Sequence, residues 1–148
     1  MNTTHRPDRQ GRLTMPIHYS RDEVKRRITV VATGAIAPED VLAFVEAQHA
    51  AGAWSDSVLI DATAITATRI SAADSHQIAA RVATLSRETP RGPVALVAID
   101  LTVFGMNRMY GTLLENKDVA FRVFREFPAA EEWLQSRTHL QPTSESAP

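Results

Sequence analysis

The amino-acid sequence predicts an α/β fold, a mixed and mostly parallel sheet of about five strands with an antiparallel edge, covered by about four helices. Three observations carry this expectation. Two strand-like segments open the chain with only a short charged turn between them. Two continuous apolar runs, SVLIDA and VALVAID, have the composition of strands buried on both faces. Amphipathic helical segments then separate the later strands. The length of 148 residues suits one domain, because a chain of about 150 residues buries roughly two-thirds of its unfolded surface and leaves little for a second core.

Taken in order, PIHYS from Pro16 reads as a short edge strand, and RRITVVATGAI carries the β-branched enrichment of a longer one. A hairpin is the economical pairing. Pro38 fits the first turn of a helix, with Glu39 and Asp40 at its positive end and Val41, Leu42, Phe44 and Val45 as its apolar face, up to a stop at Gly52. SVLIDA is the next strand, ending at Asp61, and ATAITATRI reads as a loop. Ser71 and Asp74 form a capping pattern ahead of a helix marked by Ile78, Val82 and Leu85, which the Arg91-Gly92-Pro93 turn breaks. VALVAID supplies another buried strand, closed by Asp100. TVFGMNRMYGTLLEN continues as a helix, VAFRVF as the last strand, and AAEEWLQ after Pro128 as a terminal helix with Trp133 and Leu134 turned to the sheet. There is no internal repeat. The polar ends, residues 1–14 and 139–148, are expected to be disordered tails around a domain spanning 15–138. Met15 marks where the ordered pattern begins.

Composition narrows the function classes. The chain has 16 basic and 17 acidic residues, a formal charge of -1, so no strong field attracts nucleic acid. Cysteine is absent, which removes disulfides, thiolate nucleophiles and cysteine-ligated metals. No signal-peptide core or membrane-spanning run is present, and a cytoplasmic location is the default expectation. No G-x-S-x-G elbow, P-loop or G-x-G-x-x-G motif occurs, which disfavours a hydrolase and removes the commonest nucleotide cradles, and no metal or cofactor is expected.

Three pieces, ITVVATGAIAPEDV, the strand VLIDA preceded by Gly52 and Trp54, and FGMNRMYGTLLENKDVAFRVFREFPAAEEWL, stand in an order that resembles the SpoIIAA-like family. That family is a relative of the STAS domains of anti-sigma-factor antagonists and anion transporters. The resemblance spans about Pro16 to Gln135. It implies a small α/β sandwich, non-enzymatic, acting through a protein partner or a small apolar ligand. In the antagonists a phosphorylated serine follows an aspartate at the start of the second helix. Here that region reads Thr68-Arg69-Ile70-Ser71-Ala72-Ala73-Asp74, without the pair. Ser71 and Thr68 are the nearest hydroxyls and the candidate phosphosites, and Ser71 reads equally as a helix cap.

Three further sets of residues are candidates for chemistry or binding. Asp61 and Asp100 close two strands expected to be parallel, where ligands of open sheets bind, and a metal-dependent phosphate-handling enzyme is the alternative they would serve. Caps and turns are the competing use of both. Glu46 and His49 have carboxylate-bridged metal spacing but only one copy, which favours a solvated helix face. The segment from Leu101 to Leu114 holds more apolar residues than one packed helix face requires. Phe104, Met106, Arg108 and Tyr110 are therefore the candidate contacts for an apolar ligand, a protein partner or a homodimer face, with peripheral membrane association of the same helix as a further alternative.

Overall fold

A computed structural model of the chain describes residues 6–7, 13–14, 16–115 and 119–140. Of the stretch expected as an N-terminal tail, the described pieces are β1 (Arg6–Pro7) and β2 (Leu13–Thr14), which pair antiparallel with each other. The expected C-terminal tail beyond Leu140 lies outside the described residues.

The main sheet begins with the expected hairpin. β3 (Ile17–Asp22) pairs antiparallel with β4 (Arg27–Ile36), from Ile17 opposite Ala32 to Asp22 opposite Arg27. Along β4 burial alternates, with Ile28, Val30 and Ala32 inward and Thr29, Val31 and Thr33 outward, the period of a strand covered on one face. α1 (Pro38–Ala50) follows, its Ala37 N–H donating to Asp40 at 2.8 Å, and ends where the Gly52 N–H reaches the His49 carbonyl. Its buried face differs from expectation, since Gln48 and Asp40 are buried beside Phe44 and Val45 while Leu42 is half-buried.

β5 (Ser57–Thr68) corrects two expectations. The strand does not end at Asp61, and ATAITAT is not a loop. It continues alongside β4 through two register shifts, the second between Gly34 and Ala35. Gly34 takes a φ of 73° there, a left-handed conformation that costs glycine little and lets the irregular pair keep bonding. α2 (Ala72–Leu85) then starts on a reciprocal cap, in which the Asp74 N–H donates to Ser71 Oγ and the Ser71 N–H to the Asp74 carboxylate. Replacing Ser71 by alanine is expected to lower stability by about 1 kcal/mol, measured as a shifted urea midpoint at unchanged slope.

The Arg91-Gly92-Pro93 segment, expected as a turn, is instead a buried lead-in to β6 (Val94–Val97), with all three residues inside the protein. It is held because the Gly92 N–H donates to the Trp54 carbonyl and the Val58 N–H to the Pro93 carbonyl, both at 2.9 Å. α3 (Leu101–Glu115), β7 (Phe121–Phe124) and α4 (Phe127–Leu140) complete the chain.

The sheet runs β3-β4-β5-β6-β7, with every pair after the hairpin parallel. Strand order never reverses, so right-handed crossovers place α1, α2 and α3 side by side on one face. Among the described residues α4 alone covers the other, where Leu134 and Ala130 pack on Leu59, Ala95 and Val97.

Candidate functional site

The three crossover helices do not close completely on the sheet. Between them lies an apolar cavity of about 120 Å³. Val30, Ala32, Ile60 and Leu96 form its sheet side, and Phe44, Ile78, Met106 and Tyr110 its helical side. α3 contributes Val103, Met106, Asn107 and Tyr110, the i, i+3, i+4, i+7 stripe of one helical face. The Tyr110 ring is set edge-on against Phe121, with centroids 5.1 Å apart. Lengthwise the cavity runs from Arg91, ahead of β6, to Ile36 and Thr68 at the far ends of β4 and β5.

Arg91 is the exception in this wall. It is only 7% exposed, and no Asp or Glu among the described residues lines the space with it. Its guanidinium lies over the Trp54 ring, 4.7 Å from the centroid, and Nη2 donates to Gln48 Oε1 at 2.7 Å. Gln48 is fixed in turn by donating to the carbonyls of Ala53 and Trp54. Arg91 Nε is buried with no hydrogen-bond partner, a state that costs about 1–3 kcal/mol or more when the group is charged. Burial pushes the Arg91 pKa down from the ordinary arginine value, with Tyr110 opposing, yet arginine stays protonated in proteins. Burial also pushes the Tyr110 pKa up, so its hydroxyl remains an O–H donor at neutral pH.

The residues singled out from the sequence fall in different places. Met106 and Tyr110 line the cavity. Phe104 and Arg108 lie together on another side of α3, with the Arg108 and Arg125 guanidiniums over the Phe104 ring at 6.0 and 5.4 Å. The surplus of apolar residues on α3 is real, since Leu101 is 72% exposed and Met109 is also exposed. Thr68 lines the cavity and accepts from the Ile70 N–H, whereas Ser71 is exposed and engaged in its cap.

Asp61 and Asp100 are not gathered into one site. Asp61 accepts from the Thr63 N–H and hydroxyl at 3.0 and 2.6 Å, and Asp100 caps α3 by accepting from the N–H groups of Thr102 and Val103. A sheet whose order never reverses also lacks the crevice that ligands of doubly wound sheets use. Glu46 pairs with Arg81 across α1 and α2, and that guanidinium holds its carboxyl below the usual carboxylate range, while His49 sits edge-on to Trp54 at 5.4 Å. Among the described residues no three His, Asp or Glu side chains lie close enough to hold a metal ion, and no helix is long and apolar enough to cross a membrane.

Sequence reasoning missed Arg91, Gln48 and Ala32. The available signal for Arg91 was its place just ahead of a strand buried on both faces, where a chain must already be entering the interior.

No family model and no curated protein matches the chain. Among solved structures it is similar to that of an uncharacterized protein of the DUF3478 family with a SpoIIAA-like fold from Shewanella loihica, at 19% identity and a TM-score of 0.52. The likeness covers 80% of this chain and 91% of that one. The mixed five-stranded sheet with four helices is therefore a SpoIIAA-like fold, as the resemblance implied.

Proposed function

We propose that this chain is a non-enzymatic binding module that takes a small apolar molecule into the cavity between its sheet and α1 to α3. The observation that carries the reading is the cavity itself. Protein interiors are packed like organic crystals, with few voids larger than a water. A space of about 120 Å³ that opens to solvent is on the order of ten times what one water requires, so it encloses part of an apolar guest and lets the rest extend outward. Its wall is almost wholly apolar, so water gains little there and an apolar guest gains burial.

The test is titration of N-phenylnaphthylamine, a neutral apolar probe whose fluorescence rises out of water. Saturable binding at one probe per chain is expected. Ala32→Leu, which adds bulk from the sheet side, is expected to weaken it by about tenfold or more while the thermal midpoint holds or rises. A probe that does not saturate, or binds the variant unchanged, refutes the reading.

A further inference from the structure

The single charged side chain among the described residues of the cavity wall points to more than an apolar guest. A guanidinium in an apolar wall is costly unless something answers its charge. The contacts Arg91 makes are to neutral groups, the Trp54 ring and the Gln48 amide, and it forms no ion pair among the described residues. A bracing role for Trp54 and Gln48 uses one face of the guanidinium and one terminal nitrogen. It leaves the buried Nε without a partner. Tyr110 lines the same space, and its hydroxyl is a neutral donor.

We propose that the ligand is a monoanionic amphiphile, a carboxylate with an apolar tail, whose head meets Arg91 and whose tail runs toward Ile36 and Thr68. This rests on the apolar-ligand reading and adds the head group. A carboxylate offers the acceptors that a guanidinium's parallel N–H donors fit. The count of charges selects the class. With one cation and no acid in the described wall, a single negative charge leaves the filled cavity neutral, whereas a dianionic phosphate monoester leaves it charged. The lengthwise layout agrees, since Arg91 stands at one end and the remaining wall is predominantly aliphatic.

The experiment compares decanoate, decanol, methyl decanoate and decyl phosphate as competitors for bound N-phenylnaphthylamine near neutral pH. Decanoate is expected to bind between about tenfold and a hundredfold more tightly than decanol or the ester, and more tightly than decyl phosphate. Arg91→Met is expected to remove that preference by weakening decanoate more than decanol or methyl decanoate. Arg91→Lys, which keeps the charge and loses the planar fork, is expected to retain part of it. Equal binding of decanoate and decanol overturns the head-group assignment and leaves the apolar reading standing. Tighter binding of decyl phosphate overturns the choice of a monoanion. Failure of the probe and of all four competitors overturns both readings. The wild-type comparison decides the matter even if Arg91→Met does not fold.

Discussion

Gly92→Ala is expected to destabilise the protein by roughly 3 kcal/mol or more, an unusually large loss for the addition of one methyl group. A Cβ at this position would stand 2.3 Å from the Asp56 carbonyl oxygen and 2.4 Å from that of Ser55, far inside contact distance. Both obstacles are backbone, so no side chain can swing aside. Relief requires the lead-in to β6 to part from the lead-in to β5, and the hydrogen bonds from Gly92 to Trp54 and from Val58 to Pro93 hold those two segments together. Urea unfolding checks this, and a loss below about 1 kcal/mol would mean that the two segments separate cheaply. Arg91 is the next residue, so whatever displacement the variant tolerates is expected to weaken decanoate more than the neutral probe.

Trp54→Ala is expected to cost about 3–5 kcal/mol. Trp54 is 3% exposed and packs with Val45, Val82 and Leu114 where α1, α2 and α3 meet. Its indole N–H donates to Ser86 Oγ at 3.2 Å, and its ring supports the Arg91 guanidinium. Truncation removes packing, a hydrogen bond and the platform of a buried cation together. Trp54→Phe keeps an aromatic face and is expected to recover most of the stability while still lacking the bond to Ser86. Calorimetric unfolding of the two variants checks the order, and an alanine variant within about 1 kcal/mol of wild type would show that the neighbours collapse into the gap.

Much of the fold was legible because its signals are local. The hairpin followed from two β-rich segments flanking a charged turn, α1 from Pro38 and its acidic first turn, and α2 from the Ser71 and Asp74 pair. β5 was read short because ATAITAT is small and weakly patterned. What extends the strand is the irregular second half of β4, which supplies hydrogen-bond partners from another part of the chain. The Arg91-Gly92-Pro93 segment has turn composition, and only its close approach to residues 54 to 58 makes it a buried strand entry.

The site was legible in half. Surplus apolar residues mark α3, a helix that lines the cavity, where Met106 and Tyr110, four residues apart, share the inner face. Phe104 and Arg108 are also four apart, but offset by two residues, and a turn of about 200° sends them to another side. Helical spacing alone separates these pairs once the inner face is known. Arg91 depends on Trp54 and Gln48 from distant segments, and no periodicity announces a charge that a fold encloses.

The monotonic strand order also bears on how the chain comes to be folded during synthesis. Each new strand of the main sheet joins the one made just before it, so the sheet can grow by accretion as the polypeptide leaves the ribosome, without holding an edge open for a distant segment. The second face follows a different schedule. Leu59, Ala95 and Val97 are laid down well before α4 arrives to cover them. In that interval the nascent chain carries an oily sheet face in water, and the emergence of Ala130 and Leu134 is the event that ends its exposure to other chains.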